Sequence, residues 1–111
     1  MLDNIKPSKW IVNEVDLILS KNNIKNVLDL ACGEGRHSLL FSKKNINVFS
    51  VEKNLEKLKK ISKIKYINPI CFDLETEDMW PFKIKFDLVL VSNYLYRKNF
   101  YKILDLINFN G

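Results

Sequence analysis

Asp29, Gly33, Gly35, Glu52 and Asp73 are the residues of this 111-residue chain whose types and spacing could do chemistry. Asp29 sits in the apolar run Val27-Leu28-Asp29-Leu30. A small-residue turn follows, Ala31-Cys32-Gly33-Glu34-Gly35, and then Arg36-His37 open a helical pattern. A backbone that turns sharply from strand to helix presents free N–H groups and the positive end of the helix dipole. Gly33 and Gly35 allow backbone angles closed to other residues and a close approach by a ligand. The stretch reads as a cradle for a nucleotide-type cofactor; the plainer alternative is a tight turn with no ligand. The glycine spacing departs from two common cradles. A dinucleotide fingerprint needs a third glycine where Ser38 stands, and a P-loop needs Lys and Ser or Thr where Arg36-His37 stand.

Glu52 closes a second apolar run, Ile46 to Val51, and lies 19 residues after Gly33. An acid near that distance accepts hydrogen bonds from ribose hydroxyls in nucleotide-binding α/β folds. Asp73 closes a third run, Ile70-Cys71-Phe72, and by itself reads equally as a ligand acceptor or as a helix cap or loop acid. Ser92-Asn93 follow a fourth, Phe86 to Val91.

These positions require strands that end side by side. Ser8 is placed to cap a helix to about Lys21, with Trp10, Ile11, Val15, Ile18 and Leu19 at helical spacing. Residues 25–31, 46–51, 66–72 and 86–91 read as strands, the first apolar at nearly every position as in a buried parallel sheet. Pro69 suits an edge position for the third. Between them come a helix from Arg36 carrying Leu39, Leu40 and Phe41 inward, and one capped by Asn54 with Leu55, Leu58 and Ile61 on one face. A further helix spans Asn99 to Ile107. Strand–helix alternation predicts an α/β, Rossmann-like doubly wound parallel sheet with right-handed crossovers. Its ligand site lies beyond the carboxyl ends of the strands, where Asp29, Glu52, Asp73 and Asn93 all fall.

Composition bounds the rest. At 111 residues the chain is at most one domain, with residues 1–24 as an N-terminal helix before it. The net charge of +5 raises nucleic acid as a partner. However, Lys, Ile and Asn make up 41 residues, there are only two arginines, and the lysines are spread out, so a phosphate-binding face is not favoured. Cys32 and Cys71, without ligand spacing or a signal peptide, read as reduced cytoplasmic thiols, Cys71 in a buried strand. No metal site is expected around the single His37. No apolar run approaches a membrane span. Asp87 reads as a structural acid, and Trp80-Pro81-Phe82 as a packing element.

The acid-x-small-x-Gly-x-Gly order of residues 29–35 resembles the first motif of class I S-adenosylmethionine-dependent methyltransferases, with Ala31 at the usual first glycine. The Asp-Leu-Ala-Cys-Gly-x-Gly-Arg-His loop at 29–37 is similar to that of the tellurite-resistance-like group. So are the Asp-Leu-Glu at 73–75, the Trp-Pro at 80–81 and the Asn-Tyr-Leu-x-Arg at 93–97. The resemblance covers residues 25 to 111 and implies the first four strands of that fold, in order 3-2-1-4. It implies S-adenosylmethionine as cofactor, held by Asp29, Leu30, Ala31, Cys32, Gly33, Gly35, Arg36, Glu52, Asp73, Leu74 and Asn93. It further implies in-line methyl transfer to an unidentified small-molecule acceptor; Ser92-Asn93-Tyr94-Leu95 lacks the prolines of base amino-methylating enzymes, which counts against a base. The catalytic residues stay unassigned, and a non-catalytic nucleotide- or NAD-binding module is the alternative. Members commonly carry seven strands, so the resemblance implies a chain truncated at its carboxyl end. Strand 86–91 would then show an open edge for pairing with a partner.

Overall fold

The computed structural model describes residues 9–76, 79–91 and 100–107. The expected cap at Ser8, the exit segment containing Asn93 and the final turn after Ile107 lie outside the described residues. Four strands, β1 (Asn26–Leu30), β2 (Asn47–Glu52), β3 (Ile67–Cys71) and β4 (Leu88–Val91), form one sheet in the order β3-β2-β1-β4. Every pairing is parallel. Helices α1 (Lys9–Lys21), α2 (Arg36–Lys43), α3 (Leu55–Lys59) and α4 (Phe100–Leu104) complete the element order. No helix among the described residues is long and apolar enough to cross a membrane.

Alternation along the strands divides the core into two layers. Val27 and Val48 point to one face and pack with Val15 of α1, Leu39 and Phe41 of α2, and Leu58 and Ile61 at α3. Leu28, Leu30 and Val51 point to the other, where Leu74, Phe86 and Leu106 cover them. A sheet buried on both faces needs apolar residues at consecutive positions, which the β1 sequence supplies. Asp29 is the exception, and Ser50 stands beside it in register on β2.

Local sequence sets the element ends. Asn54 accepts a bond from the Lys57 N–H at 3.2 Å and starts α3. Past α2, Asn45 turns left-handed (φ 59°), and the Ile46 N–H returns to the Phe41 carbonyl at 3.1 Å, the six-to-one closure that ends a helix. Asp87 Oδ2 accepts from the backbone N–H groups of Lys25 (2.9 Å) and Asn26 (3.1 Å), pinning the start of β1 to β4. That is the structural role expected for it.

Four expectations change. Trp10 and Leu55 are 68% and 51% exposed, because each begins its helix and projects past the layer its neighbours reach. Cys71 is exposed, since β3 is the sheet edge rather than a buried strand. The edge at 86–91 is not bare throughout. Phe86 is buried, forms a parallel bridge with Ile107 and donates to the Leu106 carbonyl at 2.7 Å. Among the described residues, Leu88–Val91 pair with β1 on one side and with no strand on the other.

Ala31 is held at φ 55°, in the region that favours glycine. That conformation costs a side-chain-bearing residue roughly 1–2 kcal/mol, partly offset because glycine is freer in the unfolded chain. Ala31→Gly is therefore expected to stabilise the fold by up to about 1 kcal/mol and raise the thermal midpoint by several degrees. An unchanged or lower midpoint would mean that the turn carries no strain.

Candidate functional site

The carboxyl ends of β1, β2 and β3 open onto a groove of about 270 Å³ lined by Ala31, Gly33, Val51, Glu52, Lys53, Lys57, Phe72, Asp73, Leu74 and Glu75. Parallel strands all deliver their last residues to one side, which is why residues distant in sequence meet there. The floor is the β1–α2 turn, tied to β2 by the Cys32 N–H on the Val51 carbonyl at 2.9 Å. The Gly35 N–H closes the turn on the Cys32 carbonyl at 3.0 Å.

Glu52 organises this floor. It is 8% exposed, and its two oxygens accept different backbone donors: Oε1 takes the Gly33 N–H at 3.0 Å, and Oε2 the Asn54 N–H at 2.8 Å. Each carboxylate oxygen has a second lone pair, so the groove-lining acid keeps acceptor capacity after bracing the loop. On the opposite wall, Asp73 Oδ1 accepts the Glu75 N–H at 3.0 Å, an Asx-type turn. Leu74 between them is 5% exposed and anchors the wall in the core.

The two glycines have different tasks. A Cβ on Gly33 (φ 59°) would meet nothing within 4 Å, so its open side belongs to whatever enters the groove. A Cβ on Gly35 (φ 84°) would lie 2.7 Å from Ile61 Cδ1 and 2.9 Å from its Cγ2. Gly35 is a packing residue behind the groove, not part of its lining.

Asp29 also lies behind the loop, 1% exposed. The Ser38 hydroxyl donates to its Oδ2 at 2.6 Å, and Ser38 Oγ lies 2.7 Å from Ser50 Oγ. A hydroxyl has one proton, so with Asp29 ionised the Ser50 hydroxyl donates to Ser38. Asp29 Oδ1 is buried without a hydrogen-bond partner. Burial pushes the acid up to about 7, against the opposing pull of the Ser38 side chain and backbone bonds and of the Arg36 charge. The Cys32 thiol is pushed up by burial and by the Asp29 and Glu52 carboxylates, which suits a loop filler rather than a thiolate. His37 is buried and held below its ordinary value by that burial and by Arg36. Among the described residues no three His, Cys, Asp or Glu side chains gather as a metal site.

The Asp29 shift fixes the sign of a pH effect. Between an unfolded value of 3.8 and a folded one of about 7, the folded chain holds a proton that the unfolded chain has released. The stability this supplies is complete below about pH 4 and is lost as pH rises through 7, with roughly 4 kcal/mol as its upper limit. In urea titrations the wild type minus Asp29→Asn difference should fall by a few kcal/mol between pH 4 and 8. Parallel profiles would mean that Asp29 titrates normally.

Of the residues singled out from sequence, Ala31, Gly33, Glu52, Asp73 and Leu74 are brought together in the groove. Asp29, Leu30, Cys32 and Gly35 support it from behind, Leu30 wholly buried in the far layer, and Arg36 is exposed at the start of α2. Asn93 lies outside the described residues. Sequence reasoning missed Val51, Lys53, Lys57, Phe72 and Glu75; nearness in sequence to Glu52 and Asp73 was the available signal for all but Lys57, which α3 brings to the groove.

Residues 10–108 match the family model described as tellurite resistance protein TehB. Among solved structures, a TehB-like SAM-dependent methyltransferase from Corynebacterium glutamicum ATCC 13032 Kitasato superposes with a TM-score of 0.61 at 19% identity, over 74% of this chain and 43% of that one. The glycopeptide N-methyltransferase MtfA gives 0.74 at 15% identity, over 97% and 52% of the two chains. Coclaurine N-methyltransferase, bound to N-methylheliamine and SAH, gives 0.71 at 21% identity, over 92% and 33%. The chain thus spans between a third and about half of these structures, and they share its fold. No curated protein matches it significantly.

Proposed function

The chain belongs to the family of the tellurite resistance protein TehB, and on that premise we propose that it carries the cofactor-binding part of an S-adenosylmethionine-dependent methyltransferase. Residues 25–111 form the cofactor domain in this reading, with α1 (Lys9–Lys21) before it. The observation that carries it is the groove itself: a glycine with open space above it faces two carboxylates on adjoining strand ends. Glu52 would take the ribose diol through its remaining lone pairs. Asp73 would accept the adenine amino group beside Leu74. Ala31 and Gly33 let the ligand lie against backbone, while Asp29, Leu30, Cys32, Gly35 and Arg36 hold that backbone in place. Asn93 belongs to the proposed set by its place in the sequence alone.

When bound, S-adenosylmethionine supplies a methyl group on a sulfonium, open to in-line attack by an acceptor. The chain's part is to fix the adenosyl end and shield the floor, so that attack geometry is set by position. The proposed acceptor is a small molecule, in keeping with the N-methylheliamine bound to one similar structure and the glycopeptide in the name of another.

Calorimetry of the protein with S-adenosylhomocysteine and with NADH tests this reading. Binding of the first, with no competition from NADH, is expected. Binding of NADH alone would replace the methyltransferase reading with the dinucleotide-module one.

A further inference from the structure

The loop that forms the Asp73 wall of the groove is met from outside the groove by a lysine far along the chain. Lys102, on α4, brings its Nζ to 3.2 Å from the Thr76 carbonyl oxygen, and the same ammonium lies 5.5 Å from the centre of the Trp80 ring. Thr76 directly follows Glu75, whose N–H is bonded to Asp73 Oδ1 at 3.0 Å. One ammonium therefore meets both the residue that follows the groove wall and the Trp80 ring farther along. We propose that Lys102 is a positioning residue for the Asp73 carboxylate, and through it sets how the site reads the amino group of the adenine ring. This rests on the groove being an adenosyl site.

The grip is useful because its base is rigid. Trp80 packs edge-on against Phe82 (6.1 Å between ring centres), Phe82 against Phe86 (6.1 Å) and Phe86 against Phe49 of β2 (5.3 Å). The far end of α4 is fixed as well, by the Phe86 N–H on the Leu106 carbonyl and the Lys85 ammonium on the Asp105 carbonyl. Lys102 thus reaches from a braced helix to a loop whose next residues carry the acceptor. An ammonium suits the task, since a charge-assisted bond to a carbonyl and a cation over an aromatic face act together on one atom. Without it, the Asp73–Thr76 segment keeps its Leu74 anchor and its Asp73–Glu75 turn but loses this hold, and whatever order it then gains only with the ligand lowers affinity.

A merely structural lysine and a positioning one differ in what their loss does to ligand discrimination. The probes are S-adenosylhomocysteine and its purine analogue, in which hydrogen replaces the exocyclic amino group, titrated calorimetrically. The wild type should prefer the amino-bearing ligand. Lys102→Met keeps the apolar stem; it should weaken S-adenosylhomocysteine about tenfold and shrink the preference toward unity, and Lys102→Arg should restore both. Lys102→Gln, which keeps a donor without charge, should fall between and serves if the Met variant does not fold. Equal weakening of both ligands, or no change in either, would overturn the proposal. If the wild type binds neither ligand, the adenosyl reading of the groove fails and this inference falls with it.

Discussion

Gly35→Ala is expected to leave little folded protein, whereas Gly33→Ala is expected to fold and lose the cofactor. Both glycines occupy left-handed backbone, φ 84° and φ 59°, so either alanine carries roughly 1–2 kcal/mol of strain. Only at Gly35 does the new methyl also meet a neighbour, within 2.7–2.9 Å of Ile61. Ile61 is wholly buried in the layer formed with α2 and β2, so it has no free space to move into. Overpacking of this kind adds about 1–3 kcal/mol. The sum, about 2–5 kcal/mol, is comparable to the whole stability of a small domain. At Gly33 the methyl points into the groove and takes the space of the ligand. Urea unfolding and S-adenosylhomocysteine titration of the two variants separate these outcomes; a folded, binding Gly35→Ala protein would refute the division of labour.

Glu52→Gln should cost affinity on the order of tenfold to a hundredfold and lower stability as well. The amide has one acceptor oxygen for two backbone donors, the Gly33 and Asn54 N–H groups, so one of them loses its partner. Both bonds are part-buried, so a donor left unpaired costs at most about 1–3 kcal/mol, and a bond to a charged acceptor is worth roughly 1.5–3 kcal/mol to the ligand. Glu52→Ala should lose both bonds and weaken binding at least as much. A dissociation constant unchanged in the Gln variant, with only the midpoint lowered, would confine Glu52 to bracing the loop.

The sheet was readable because its signals are local and repeated. Each strand is an apolar run ended by a polar residue, and parallel geometry then places Asp29, Glu52 and Asp73 on one side without further information. What the sequence left open depends on neighbours across the fold. Spacing treats Gly33 and Gly35 alike, and only Ile61 distinguishes them. Helical periodicity assigns Trp10 and Leu55 to an apolar face but does not say where the covering layer stops. Cys71 reads as buried from its apolar run alone, although Pro69 already marks that strand as an edge. A small residue at position 31 is evident from sequence, but its left-handed conformation is not. Lys102 gives no signal at all, because its contact with Thr76 is made between segments 26 residues apart.

The most direct measurement is a residue-by-residue map of backbone amide shifts as S-adenosylhomocysteine is titrated into isotope-labelled protein. The largest changes are expected at Ala31, Gly33, Glu52, Lys53 and Asp73 to Glu75, with the exposed turn at Asn22-Asn23 unmoved. Shifts gathered elsewhere on the sheet, or none at saturating ligand, would contradict the assignment of this groove as the adenosyl site.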